Sequence, residues 1–173
     1  MDMSVFNGRK RAEDGIFLQL RHPFTDEPIE EKGEPVGFVV RGSAAPSVQA
    51  RLKEMQKKVE SADDDEDRDA LMEAMHSAQI EGAMPFIISA RNMELGDKPV
   101  ETEEQIREIL NMTFPQMDFA KDADGNVRQV VVKDDEGNET RAPQFDITNK
   151  TFAQQVIDAA QDGARFLGET SGG

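Results

Sequence analysis

The sequence predicts an α+β protein with a small N-terminal antiparallel sheet, a bundle of about four helices and a β-hairpin insertion near residues 118–147. Three observations lead to this prediction. Apolar residues recur at every second position in the stretch 16–20, and the period changes to that of a helix from Pro46 onward. Turn sequences then bracket a valine-rich stretch, residues 127–133.

Length and composition set the expected number of domains. A chain of 173 residues corresponds to about one domain. We therefore expect a single α+β domain over residues 15–168, a flexible N-terminal segment over 1–14 and a C-terminal tail over 169–173. Tryptophan and tyrosine are absent, so ten phenylalanines and nine methionines must supply the bulk of the core.

The N-terminal sheet is predicted from two stretches of alternating residues. Ile16, Leu18 and Leu20 alternate with Phe17, Gln19 and Arg21, and Val36, Phe38 and Val40 repeat the pattern. The connection from Pro23 to Pro35 is too long for a tight hairpin and too polar for a helix. We therefore expect an antiparallel pair of strands closed by a loop.

Two helices are expected after the sheet. The first spans Pro46–Val59, and its apolar stripe consists of Val48, Leu52, Met55 and Val59. The second follows the acidic run 61–69, and its apolar side consists of Leu71, Met72, Met75 and Ala78. Consecutive carboxylates in a helix splay around the axis, so the run is interpreted as a solvated linker rather than a metal site.

Three further elements are predicted in the C-terminal half. Phe86–Ile88 is a buried strand or a helix end. Thr102–Gln105 has the spacing of a capping box and opens a helix. Thr148 or Asn149 is predicted to cap a last helix, which Gly168 ends. The apolar residues of that helix are Phe152, Val156, Ile157, Ala160, Ala164 and Leu167.

The insertion is predicted to be a projecting hairpin or small sheet, because turn sequences at 124–126 and 136–138 bracket the valine-rich stretch. The first turn also resembles part of a calcium loop. Placing Gly125 at the glycine position of such a loop puts Ala120 and Val131 at its first and last ligand positions. Neither side chain carries oxygen, so a simple turn is favoured.

The net charge of −15 restricts the partners of the chain. Nucleic-acid binding requires a basic surface, so nucleic acid is not an expected ligand. Basic or hydrophobic partners are favoured instead. No stretch approaches about 18 apolar residues and no signal-peptide pattern is present, so we expect no membrane span and a cytosolic location.

No catalytic, cofactor or metal site is predicted. The absence of cysteine excludes disulfides and thiolate ligands. The two histidines, His22 and His76, are far apart in the sequence, and no nucleophile-elbow or glycine-rich phosphate-loop pattern accompanies them. We therefore expect a binding protein rather than an enzyme.

A binding protein needs an apolar face that another chain can cover, and methionine-rich helices adapt well to varied partners. The face predicted to bind a partner consists of Leu52, Met55, Val59, Leu71 and Met75. Spacing alone does not distinguish this interpretation from the alternative, in which the same residues fill the core.

Several motifs follow one another in a set order along the chain. The leading strand carries the pattern Leu-x-Leu-x-His-Pro-x-Thr-x-Glu-Pro, here Leu18, Leu20, His22, Pro23, Thr25, Glu27 and Pro28. A second strand ending in Arg-Gly-Ser follows at Val36–Ser43, before a charged helix. The turn Gly96–Val100 then precedes the capped helix Thr102–Met112, and the last helix ends in Phe166–Leu167. This order of motifs resembles the tail assembly chaperones of long-tailed bacteriophages, and the resemblance leaves out the 118–147 insertion.

This resemblance implies a function without catalysis. Such chaperones coat the long, helical, aggregation-prone tape-measure protein in the host cytoplasm and help recruit tail-tube subunits. The alternative is a structural virion component, such as a neck, tail or capsid accessory protein, in which the insertion makes a lateral contact. An acidic DNA mimic fits less well, because its carboxylates would form two rows, whereas the acids here cluster in loops. The oligomeric state is left open.

Overall fold

The computed structural model describes residues 7–59 and 68–166, and it divides the chain into two compact units. The first unit comprises residues 1–114 and 151–173, and the second comprises residues 115–150. Helices and small antiparallel sheets occur together, so the predicted α+β fold is confirmed. The segment predicted as an inserted hairpin lies within the second unit.

The described residues of the first unit form six α-helices, one short 3-10 helix (Met84–Phe86) and seven strands. The helices are α1 (Gly8–Asp14), α2 (Pro46–Val59), α3 (Arg68–Ala83), α4 (Glu103–Asn111), α5 (Phe152–Gln161) and α6 (Gly163–Phe166). The strands are β1 (Ile16–Gln19), β2 (Glu30–Glu31), β3 (Glu34–Pro35), β4 (Gly37–Val40), β5 (Ile87–Arg91), β6 (Glu94–Leu95) and β7 (Lys98–Pro99).

A three-stranded antiparallel sheet in the order β1-β4-β5 lies in the first unit. The predicted pairing of the first two alternating stretches is confirmed, with Leu18 opposite Phe38. Gly37 lies where β4 passes closest to β1, and a Cβ at this position would overlap the carbonyl oxygen of Leu18. The close approach of the two strands therefore requires glycine.

The core of the first unit lies between this sheet and the helices. Its largest fully buried side chains include Phe38 and Val40 of β4, Val48 of α2, Leu110 of α4 and Val156 of α5. Helix α5 packs against both α3 and β4. It therefore joins the helical layer to the sheet.

A buried glutamine fastens α5 to the N-terminal region. The side-chain amide of Gln155 accepts a hydrogen bond from the Arg21 backbone N–H and donates one to the Arg21 carbonyl, each at 2.8 Å. Gln155 is 7% exposed. The side-chain amide of Gln155 thus makes the same two hydrogen bonds with Arg21 that the backbone of a neighbouring strand would make.

The helix ends confirm one sequence prediction and correct another. The Thr102 capping box is present, with the Thr102 hydroxyl accepting from the Gln105 backbone N–H. The cap of α5 is Thr151, and the prediction of Thr148 or Asn149 is wrong.

The physical reason is that both residues have other partners. The Thr148 hydroxyl donates to the Gln116 carbonyl at 3.3 Å, and Asn149 Oδ1 accepts from the Gln116 N–H at 2.8 Å. The last predicted helix is also shorter than expected, because α5 ends at Gln161 and the separate helix α6 follows.

The N-terminal segment predicted to be flexible, residues 1–14, contains a helix in the part that the structure describes. Residues 8–14 form α1, which Asn7 caps by accepting from the Lys10 N–H at 3.2 Å. Ala12 is buried, and its carbonyl accepts from the Gly42 N–H. The predictions for residues 1–6, for most of the acidic run, for Leu167 and Gly168 at the end of the last helix, and for the tail lie outside the described residues.

The same three-armed β motif occurs in both units. In the first unit, three backbone hydrogen bonds of 2.9 to 3.0 Å form a closed triangle. The N–H of Leu20 donates to the carbonyl of Val36, that of Ile29 to Leu20, and that of Val36 to Ile29. In the second unit, Ala120, Arg128 and Gln144 form the same triangle with the same donor order, at 2.8 to 2.9 Å. The strands of the second unit are β8 (Met117–Phe119), β9 (Gln129–Lys133), β10 (Glu139–Pro143) and β11 (Phe145–Ile147).

The corresponding arms differ mainly in length. The first arm is the pair β1–β4 in one unit and β8–β11 in the other. The second arm is a turn closed by the bridge Arg21–Pro28 or Lys121–Val127. The third arm is a hairpin, with two residues per strand in β2–β3 and five per strand in β9–β10. β9, within the stretch 127–133 predicted as a strand, is thus one strand of the third arm of a larger motif.

Candidate partner-binding groove

An apolar groove with a volume of about 800 Å³ lies between the hairpins β2–β3 and β6–β7 of the first unit. Its lining also includes Ala90 of β5, Ile109 of α4 and Phe152 of α5. The apolar residues that line it include Leu20, Ile29, Val36, Met93, Ile109 and Phe152. Several of these residues also belong to the core, so the groove lies directly against one edge of the hydrophobic core.

Local backbone geometry holds the two hairpins beside the groove. The β6–β7 turn contains Gly96 in the left-handed region, with φ of 63°. Val100 donates its N–H to the Met93 carbonyl at 3.0 Å, which closes the base of that hairpin. Asn92 connects the hairpins by donating from its side-chain amide to the Pro35 carbonyl at 2.9 Å.

The rim of the groove is acidic. Glu30 and Glu31 lie on one hairpin, and Glu94 and Glu101 lie on and beside the other. Lys32 is the basic residue in this lining, and its ammonium group lies 3.8 Å from the Glu31 carboxylate. The charge of the rim therefore favours a ligand with Lys or Arg side chains beside an apolar stripe.

Met112 provides an accessible apolar contact at this site. It follows the last residue of α4, and 58% of its surface is exposed while it lines the groove. An unbranched methionine fits partners of varied shape. A ligand in the groove would cover this side chain.

The predicted partner face on α2 and α3 is only partly available for binding. Leu52 is half-buried and packs against the core, as the alternative interpretation required. Met55 is also half-buried, whereas Met75 is 51% exposed. The side chains of Val59 and Leu71 lie outside the described part of the structure.

The two histidines have structural contacts. His22 Nδ1 accepts from the Thr25 backbone N–H at 3.2 Å, so the ring caps the turn of the second arm. His76 is buried between α3 and α4, where its Nε2 lies 3.1 Å from Asn111 Oδ1 and its ring packs edge-on against Phe114. Within residues 7–59 and 68–166, acidic and histidine side chains form no cluster suited to a metal ion.

Residues from several resemblance motifs line the groove together. These residues are Leu20, Val36, Pro99, Val100, Ile109 and Met112. They belong to the leading strand pattern, the second strand, the Gly96–Val100 turn and the capped helix. The sequence contained all of these segments, but it did not indicate that they converge, because the contacts join residues about 90 positions apart.

Comparison of the chain with protein-family models, curated proteins and solved structures found no match. Among the helices that the structure describes, none has the length and apolar character needed to cross a membrane.

Proposed function

We propose that this chain is a non-catalytic bacteriophage tail assembly chaperone that binds the tape-measure protein in the host cytoplasm. The observation that carries the proposal is the acidic-rimmed apolar groove between the two hairpins. A helical, aggregation-prone client presents apolar stripes that need to be covered before assembly. Lys or Arg residues beside such a stripe would face Glu30, Glu31, Glu94 and Glu101.

Two further features support this proposal. Parts of the segments that resemble the chaperone family lie together in the lining of the groove, including Leu20, Val36 and Ile109. The net charge of −15 would keep a complex with an apolar client in solution. Recruitment of tail-tube subunits would be a second role of the same complex.

The test is co-expression with the tape-measure protein of the same genome, followed by a solubility assay and an affinity pull-down. Met112→Glu should reduce recovery of the client about tenfold, because it places a carboxylate against an apolar stripe. Met75→Glu is the matched control, since Met75 is similarly exposed but does not line the groove.

Each result bears on a different part of the proposal. A client that stays insoluble with the wild-type chain would refute the chaperone function. Loss of binding with Met75→Glu alone would place the client on the predicted face of α2 and α3. Both variants must keep the circular dichroism spectrum of the wild type for the comparison to hold.

A structural role in the virion is the second candidate, and one feature of the second unit favours it. Val130, Val131 and Val132 of β9 are exposed by 38%, 60% and 45%, which is unusual for three successive valines. Mass spectrometry of purified particles separates the two functions. An assembly chaperone is absent from finished particles, whereas a structural component is present at a fixed ratio.

A further inference from the structure

The hairpin β9–β10 has an exposed strand edge that could pair with another strand. All five residues of β9 are exposed, and the described residues supply no strand beside it other than β10. An isolated two-stranded hairpin is at best marginally stable in water. An additional strand paired with β9 would extend this hairpin into a larger and more stable sheet.

Hydrogen bonds at the two ends of the ladder determine which backbone groups face outward. The Asp134 N–H donates to the Asn138 carbonyl at 3.0 Å, and the Gln144 N–H donates to the Arg128 carbonyl at 2.9 Å. Backbone groups alternate between the two sides of a strand, so the even-numbered residues of β9 face β10. The residues of β9 whose backbone groups face outward are Gln129, Val131 and Lys133.

The two outer edges of the hairpin differ in their protection. By the same alternation, Glu139, Arg141 and Pro143 face outward from β10. Pro143 has no N–H to donate, and two charged side chains occupy the other positions, which are the usual means of blocking an edge. The outer edge of β9 retains its N–H groups and carries an uncharged residue at its centre, Val131.

We propose that β9 pairs antiparallel with β9 of a second copy of this chain, about a two-fold axis at Val131. In this register Val131 faces its own equivalent, and Gln129 faces Lys133 of the second copy. All three pairs use outward-facing backbone groups, so the interface would contain about six backbone hydrogen bonds. The two hairpins would together form a four-stranded sheet, and the contact is closed because both copies use the same surface.

The charges along the strand favour this orientation. Continuing the register beyond Lys133 places Asp134 opposite Arg128 of the second copy, and the symmetry repeats this pair at the other end. A parallel pairing about the same residue would place Lys133 and Arg128 each opposite their own equivalents, which is unfavourable. The proposal concerns the second unit and is independent of the function proposed for the groove.

A single cysteine tests the register directly, because the natural chain has no cysteine. Val131→Cys should form a disulfide-linked dimer under mild oxidation, since directly opposite residues approach within the range that a disulfide spans. Arg141→Cys is the matched control, because it is the residue paired with Val131 on the protected edge. We expect at least tenfold more cross-linked dimer from Val131→Cys, and equal or reversed yields would overturn the proposal.

Light scattering of the full chain over a concentration series provides the second test. The wild type should approach twice the mass of one chain, 19.2 kDa, and Val131→Pro should abolish this association while Arg141→Pro preserves it. Gln129→Glu should tighten the dimer by placing a carboxylate opposite Lys133, and Gln129→Lys should weaken it. A monomer at all concentrations, growth beyond a dimer, or the same effect from both Gln129 variants would refute the antiparallel two-fold pairing.

Discussion

The link between Gln155 and Arg21 allows a quantitative test of how the first unit is held together. Gln155→Ala removes two hydrogen bonds of 2.8 Å that connect α5 to the N-terminal region. Each such bond contributes about 1 kcal/mol net. Arg21 is exposed, so water can solvate its freed backbone groups and no further penalty for unsatisfied groups is added. We therefore expect the free energy of unfolding to fall by about 2 kcal/mol.

Urea unfolding measured by far-ultraviolet circular dichroism is the appropriate assay, because the chain has no tryptophan or tyrosine to report by fluorescence. With a slope of about 2 kcal/mol per molar urea, the midpoint should fall by about 1 M. Gln161→Ala is the control, since Gln161 is exposed on the same helix. If Gln155→Ala shifts the midpoint no more than this control does, the hydrogen bonds do not stabilise the unit.

Gln155→Glu adds a dependence on pH to the same test. An ionised carboxylate cannot donate to the Arg21 carbonyl, whereas a protonated one can, so the pKa of the introduced carboxyl should be raised in the folded state. The stability of this variant relative to wild type should be highest below the unfolded pKa of about 4.3. It should fall as the pH rises through the higher folded pKa. A difference that does not change with pH would contradict the donor role.

Four other substitutions test separate features by the same unfolding assay or by NMR. Gly37→Ala should cost about 3 kcal/mol or more because of the overlap with the facing strand. Gly82→Ala in α3 should instead stabilise by about 0.5–1 kcal/mol, because the added Cβ would only contact Ile157 Cδ1 at 3.9 Å, an ordinary van der Waals distance. Thr102→Ala should cost about 1 kcal/mol by removing the cap of α4, and no change would show that the cap is dispensable. Hydrogen bonds from the side chain and backbone of Asn138 lower the pKa of Asp134, so Asn138→Ala should raise it in an NMR titration. The stabilisation by this carboxylate is present above its unfolded pKa and is lost as the pH falls through the lower folded value.

Local patterns in the sequence predicted the elements whose formation depends on nearby residues. The limits of α2, the capping box at Thr102 and the pairing of β1 with β4 all follow from spacing within one or two segments. The cap of α5 was misplaced because Thr148, Asn149 and Thr151 are all suitable capping residues. Only the contacts of the first two with Gln116 select the third.

The groove and the repeated motif could not be predicted in the same way. The three-armed motif depends on hydrogen bonds between backbone groups, which no side-chain pattern records. Its two triangles place Leu20 where the other has Ala120, and Val36 where the other has Gln144. The α1 helix was missed for a related reason, because its single buried residue, Ala12, leaves no apolar stripe to recognise.

The division of the chain into two units has a consequence for its synthesis. The second unit is one continuous stretch, so all of its strands leave the ribosome together and can pair at once. The first unit needs α5, in which Val156 fills the core and Phe152, the first residue, lines the groove. The groove therefore stays incomplete until Phe152 is added, 40 residues after Met112, the last of the other lining residues. In a nascent chain the groove would therefore be completed only late in translation, after the whole second unit has been synthesised.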